Sequence, residues 1–114
     1  LLERLEVLLD GRLAISTLCA EDFHALGAEF SDAENLVDRL RDIKGVAAGI
    51  LMTKMSDNLV RVSLRSKSGV DVSAIAAVFG GGGHRRASGL RSDLPLAVLR
   101  EELITRVRQA LPQP

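Results

Sequence analysis

Apolar positions along this chain change period several times, and each change marks an element. Leu59 to Ser66 alternates, with Val60, Val62 and Leu64 set against Arg61, Ser63 and Arg65, the period of a half-buried strand. Just upstream, Val46 to Thr53 is almost continuously apolar, as a strand buried on both faces must be. The polar stretch Lys54–Asn58 between them predicts a hairpin. Leu13 to Cys19 reads as a further strand, and Ala87 to Arg91 as a short one.

Helical spacing appears elsewhere. Leu36, Val37, Leu40 and Ile43 share one helical face, behind Ser31-Asp32-Ala33-Glu34, which has the form of a capping box with Phe30 as a hydrophobic staple. Ala20 to Gly27 reads as a short helix closed by Gly27 and holding His24, a surface position. Asp71 can cap a helix whose core face is Val72, Ile75, Ala76 and Phe79, terminated by glycine at Gly80. Asp93 and Pro95 open a last helix with the stripe Leu96, Leu99, Leu103, Val107 and Leu111.

At the other end, Leu2, Leu5 and Leu9 have helical spacing over Leu1–Asp10, with no N-cap ahead and Gly11 behind. The chain opens without Met, so residues 1–11 are expected to be the end of a linker helix from a preceding domain. The order β-α-α-β-β-α-β-α predicts a small single α/β domain, residues 12–114, with a mixed β-sheet of about four to five strands flanked by helices. Its 114 residues suit one domain and not two.

Composition narrows the classes. Hydrophobic residues are 46% and aromatics only three Phe, so the core is aliphatic. No apolar run reaches the roughly 20 residues of a membrane span, and no secretory leader is visible. The single cysteine, Cys19, excludes an internal disulfide framework and suits a reducing, cytoplasmic setting as a buried, inert thiol. The formal net charge of zero conceals an asymmetry. Residues 1–45 carry ten acids and five bases, whereas residues 58–91 carry six bases (Arg61, Arg65, Lys67, Arg85, Arg86, Arg91) and one acid, Asp71. A basic segment in a neutral protein points to a local anion site, not to a surface that coats nucleic acid.

That segment holds Gly80-Gly81-Gly82-Gly83-His84-Arg85-Arg86-Ala87-Ser88-Gly89. Each ordered glycine costs roughly 0.5–1 kcal/mol against alanine, so four cost about 2–4 kcal/mol. Total stabilities are only roughly 5–15 kcal/mol, so the run implies a close approach to its backbone. A Walker loop would end in Gly-Lys-Ser/Thr and open a helix; a dinucleotide fingerprint would follow a strand. Here a helix precedes, and its C-terminal end disfavours phosphate. Attraction must come from backbone N–H groups, from His84 and from cations, of which the strand face Arg61, Ser63, Arg65 and Lys67 supplies three. An arginine at Arg65 can fork two phosphate oxygens, which Lys67 cannot. Period 2 puts Ser66 on the face opposite Arg65, so a bulge or strand end is needed for both to reach one ligand. No metal-ligand cluster and no activated nucleophile can be read from the residues.

These motifs resemble the C-terminal, DHH-associated domain of the DHH phosphoesterases, which include nano-RNases that double as phosphoadenosine-phosphate phosphatases, cyclic-dinucleotide phosphodiesterases and RecJ exonucleases. The likeness rests on Gly80–His84 with Ala87-Ser88-Gly89, on Val62-Ser63-Leu64-Arg65-Ser66, and on Val72-Ser73-Ala74-Ile75-Ala76. Ser88 departs mildly from the small apolar residue usual there. The resemblance implies a substrate-binding domain in which Gly81, Gly82, Gly83, His84, Arg65 and Ser66, with Lys67 a weaker addition, contact short RNA or nucleotide phosphates. It implies no catalytic or metal-binding residue in this chain. Two manganese ions are expected on the protein's own N-terminal catalytic domain, which would be this domain's first partner; a homodimer is left open. The competing reading is a nucleic-acid-binding module without hydrolysis, as in the C-terminal domain of alanyl-tRNA synthetases, whose glycine loop usually continues with Arg-Pro where this chain has His84-Arg85.

Overall fold

The computed structural model describes residues 5–19, 21, 30–67 and 69–112. Within them lies one mixed sheet of six strands: β1 (Glu6–Leu8), β2 (Leu13–Cys19), β3 (Ala48–Ser56), β4 (Leu59–Ser66), β5 (Gly82–His84) and β6 (Ala87–Ser92). Their order is β1-β2-β3-β4-β6-β5. Three helices accompany them: α1 (Phe30–Asp42), α2 (Val72–Val78) and α3 (Leu96–Ala110). Only β2 and β3 are parallel; every other neighbouring pair is antiparallel. The α/β class is therefore as the sequence predicts. The strands in excess of expectation are the two edges, β1 and β5, each three residues long and too short to show a period.

The two sheet faces are covered differently. On one, Leu13, Ile15, Ile50, Met52, Val62 and Leu64 pack with Val72, Ile75 and Ala76 of α2 and Leu99, Leu103 and Val107 of α3, all buried. On the other, Ala14, Leu18 and Leu51 meet Val37 and Leu40 of α1. Strand β3 is thus buried on both sides from Ala48 to Thr53, which explains its nearly unbroken apolar run. Gly49 lets α1 come close: a Cβ there would stand 2.8 Å from the Arg41 backbone nitrogen.

Two N-terminal expectations need correction. Helical spacing over Leu1–Asp10 does not produce a helix at Glu6–Leu8, which pair with Leu13–Ile15 as an antiparallel strand. Leu9 and Asp10 adopt positive φ, 54° and 59°, so the chain reverses here and the sheet's free edge captures it. Glu6 then reaches α3, accepting from Arg100 Nη2 at 2.7 Å. Residues 1–4 lie outside the described residues, as do His24 and all of the Ala20–Gly27 segment except Glu21, which is helical. Helix α1 already includes Phe30 and Ser31, so Ser31 falls inside the element and not at its cap.

The Asp71 cap forms as predicted. Its carboxylate accepts from the Ser73 and Ala74 backbone N–H groups at 2.9 and 3.3 Å and from the Ser73 hydroxyl. Helix α2 ends by donating Gly80 N–H to the Ala77 carbonyl and Gly81 N–H to that of Ala76, at 3.1 and 2.9 Å. With Gly80 at φ 83°, this is a Schellman motif.

Candidate functional site

Register assembles a site on the α1 side of the sheet, beyond the half that α1 covers. Three cross-strand rows share this face. Arg61 lies opposite Arg91; Ser63 lies opposite Gly89, which lies opposite Gly82; Arg65 lies opposite Ala87, which lies opposite His84. Rows two residues apart are separated by about 7 Å. The middle row bears no side chain larger than a hydroxymethyl, so it forms a trough between two cationic rows. An open cleft of about 550 Å³ runs over it, walled by the glycine run and by Glu34 of α1.

Each glycine in the run has its own reason. Gly80 is the left-handed helix cap. A Cβ on Gly81 would stand 2.3 Å from the Gly89 carbonyl oxygen, so β6 and the helix end could not approach each other. Gly83 has φ 142°, and a Cβ would lie 2.8 Å from the Ala87 carbonyl oxygen. Gly82 alone meets nothing within 4 Å and has no positive φ. The fold therefore accounts for three of the four, and Gly82, in the trough, is the one whose bareness faces solvent.

Arg65 is oriented before any ligand arrives. Its Nε donates to Asp38 Oδ1 on α1 at 3.0 Å, and its Nη1 donates to the Leu64 carbonyl at 3.0 Å. Its side chain is 15% exposed. With one Nε–H and one Nη1–H engaged, three of the five guanidinium N–H donors, two of them on Nη2, are left to meet an anion. Asp38 also accepts from Arg41 at 3.5 Å.

His84 ends the third row at the sheet edge, exposed. Its Nδ1 accepts the Arg86 backbone N–H at 3.1 Å. In the neutral ring the proton then resides on Nε2, which is left as a donor.

Ser66 and Lys67 are elsewhere. Ser66 is buried on the α2 side, donating its hydroxyl to the Val70 carbonyl at 2.7 Å and contacting that of Arg85 at 3.1 Å. It clamps the Arg85–Arg86 turn to the end of β4, helped by its own N–H to the Arg86 carbonyl. Ser66 is the last residue of β4, but no bulge interrupts the register there, so it stays on the face opposite Arg65. Lys67 lies past the end of β4 and donates to the Ile43 carbonyl at 3.3 Å, tying down the chain after α1. The structure thus brings together Arg65, Gly81, Gly82 and Gly83 in one cleft, while His84, at the end of the Arg65 row, does not line it. Arg91, Gly89, Glu34 and Asp38 were not singled out as site residues; Ala87, Gly89 and Arg91 share a face by strand alternation, and that was the signal available.

Among the described residues no group of three or more His, Cys, Asp or Glu could hold a metal ion. No helix among them is long and apolar enough to cross a membrane.

Comparison with known proteins places this geometry. The DHHA1 domain model matches residues 10–113. The chain is 33% identical over 102 residues to the bifunctional oligoribonuclease and PAP phosphatase NrnA of Thermus thermophilus, spanning 89% of this chain and 30% of that protein. An exopolyphosphatase-related protein from Bacteroides fragilis superposes with a TM-score of 0.74 at 27% identity, over 96% of this chain and 31% of its own. The pGpG-specific phosphodiesterase PggH from Vibrio cholerae shares the fold, with a TM-score of 0.65 at 14% identity, over 94% and 36%. The chain spans about a third of each of these proteins.

Proposed function

Since the chain belongs to the DHHA1 domain family, we propose that it is the substrate-gripping domain of a phosphoesterase acting on short RNA or nucleotides. One observation carries this reading: a trough without side chains lies between two cationic rows, in a cleft of about 550 Å³. A sugar-phosphate backbone fits such a trough, because bare glycine backbone admits close approach while the flanking cations neutralise charge. In this reading Arg65 Nη2 and His84 Nε2–H donate to one phosphate, and Gly82 is where the ligand touches the chain. Ser66 acts through the turn it clamps and does not touch the ligand. The name of the NrnA relative, an oligoribonuclease and PAP phosphatase, supports this substrate class over a module that binds without hydrolysis.

The described residues do not fit a metal pair, and the manganese-dependent chemistry that the family resemblance implies would belong to a catalytic domain outside this chain. This chain supplies binding and orientation. Arg65→Ala or His84→Ala in the intact enzyme should lower kcat/KM by at least tenfold, or about 1.4 kcal/mol of transition-state stabilisation. Wild-type kinetics in both variants would refute the assigned roles. The 114-residue chain alone, mixed with a diribonucleotide and manganese, should release no mononucleotide; turnover free of contaminating nuclease would overturn the division of labour.

A further inference from the structure

Asp38 carries the wrong sign for its place. Its Oδ1 accepts from Arg65 Nε at 3.0 Å, and Arg65 lines the cleft whereas Asp38 does not. By charge alone, a carboxylate beside Arg65 lowers the attraction that an incoming anion feels. Its contacts give it a different role. A free arginine side chain has many rotamers and loses them when it grips a ligand. Arg65 has lost them already, because Asp38 holds Nε and the Leu64 carbonyl holds Nη1. Asp38 is itself staked. Arg41 Nη1 donates to the same Oδ1 at 3.5 Å, and Arg41 Nε donates to Asp42 at 3.0 Å.

The height of α1 above the sheet decides whether this contact forms. Gly49 on β3 is the direct cross-strand partner of Arg65, so the two positions share the face that α1 covers. A Cβ at Gly49 would stand 2.8 Å from the Arg41 nitrogen, 3.1 Å from Leu40 Cβ and 3.2 Å from Arg41 Cα. Gly49 has no positive φ, so its own backbone does not require glycine; the helix above it does. Raising α1 to clear a methyl group there would stretch the Asp38–Arg65 contact, which at 3.0 Å has little to spare.

We infer that Asp38 is a positioning residue for substrate binding, acting through Arg65, and that Gly49 seats the helix that delivers it. The cleft gives up some attraction for anions and gains a preordered guanidinium. This rests on the nucleotide reading above, in which Arg65 meets a phosphate.

Kinetics of the intact enzyme on the diribonucleotide pApA test this, because charge and positioning predict opposite signs. Asp38→Ala removes both the charge and the anchor. Positioning predicts kcat/KM lower by at least about fivefold, and charge alone predicts it higher. Asp38→Asn removes the charge but keeps an acceptor for Nε, so it should match or exceed wild type. In an Arg65→Ala background, Asp38→Ala should change kcat/KM by less than about twofold, since nothing is left to position. Gly49→Ala should behave as Asp38→Ala does in both backgrounds, although Gly49 does not line the cleft; if it does not fold, the Asp38 variants carry the test. NMR without ligand reads the anchor directly. The Arg65 Nε–H resonance should be protected from exchange in wild type and Asp38→Asn, and lose that protection in Asp38→Ala.

Asp38→Ala kinetics at or above wild type, a loss that persists in full without Arg65, or an Nε–H signal unaltered in Asp38→Ala overturns the positioning role. A tenfold loss in Arg65→Ala beside any of these keeps the nucleotide reading. Wild-type kinetics in Arg65→Ala, or no cleavage of pApA by wild type, overturns that reading and this inference with it.

Discussion

The α1-side face of the sheet has two halves built on one register. Over β2 and β3 the outward positions are Ala14, Leu18 and Leu51, buried beneath Val37 and Leu40 of α1. Over β4, β6 and β5 the equivalent positions are Arg61, Ser63, Arg65, Ala87, Gly89 and Arg91, and these line an open cleft. The underside is mostly apolar, with Val60, Val62, Leu64 and Leu90 buried like Ile15 and Ile50, and its serines Ser66 and Ser88 buried too. A packing surface and an open cleft therefore differ only in every second residue of two strands. The seam between them is the Arg65–Asp38 ion pair, through which the covering helix fixes a cation at the cleft's wall.

The same contrast recurs within the glycine run and can be broken there. Gly81→Ala should have the largest effect, because its Cβ would collide with backbone that cannot yield. A loss of about 3 kcal/mol or more is expected by urea unfolding. Gly82→Ala should do the reverse: stability within about 0.5 kcal/mol of wild type, since nothing lies within 4 Å, but nucleotide binding weakened severalfold. If Gly81→Ala were tolerated or Gly82→Ala bound normally, the division of the run into structural and ligand-facing glycines would fail.

Ser66 and Arg65 are adjacent but face opposite ways, so their variants should separate. Ser66→Ala strands the Val70 carbonyl, while that of Arg85 keeps the Val72 N–H, and should cost about 1–3 kcal/mol of stability. Arg65→Ala gives up an ion pair whose Asp38 end is 42% exposed and still paired with Arg41, worth about 1 kcal/mol, and its deficit should appear in binding. Thermal melts beside binding isotherms for the two variants check this; equal stability losses would erase the distinction.

The smallest expected effect is electrostatic. The Asp71 carboxyl is held below its ordinary range, first by the Ser73 hydroxyl and then by the Ala74 and Ser73 N–H groups and the charge of Arg85. A folded value lower than the unfolded one stabilises the fold above the ordinary pKa of 3.8, and the contribution is lost as pH falls through the lowered value. Asp71→Asn keeps a cap acceptor but does not titrate. Wild type should therefore exceed this variant in stability at pH 6 and lose that margin below pH 3.8. A margin constant with pH would assign it to something other than the carboxylate's charge.

Much of this was legible along the chain. Strands β2 and β4 begin and end as their periodicity predicts, the β3–β4 hairpin follows from the polar turn, and the Asp71 cap and glycine stop bracket α2. These are local signals, set by side chains a few residues apart. The N-terminal leucines misled because a three-residue strand has no measurable period, and an open sheet edge outweighs a weak helical spacing. Ser66 and Lys67 were read as neighbours of Arg65 in sequence, whereas the end of β4 and the turn at Arg85–Arg86 give them other partners.

The sequence by itself determined the α/β class, the aliphatic core, the cationic face of β4 and a glycine run costly enough to demand a reason. Only the tertiary structure decided what that reason is. Cross-strand register puts Gly89 opposite Ser63 and Arg91 opposite Arg61, residues 26 and 30 positions apart, and sets Gly82 on the far side of Gly89. The left-handed helix cap claims Gly80 and close packing claims Gly81 and Gly83 for the fold, which leaves Gly82 to face the cleft. Alternation can say which way a side chain points; which side chain stands opposite is fixed by hydrogen bonding between strands that the chain itself keeps far apart.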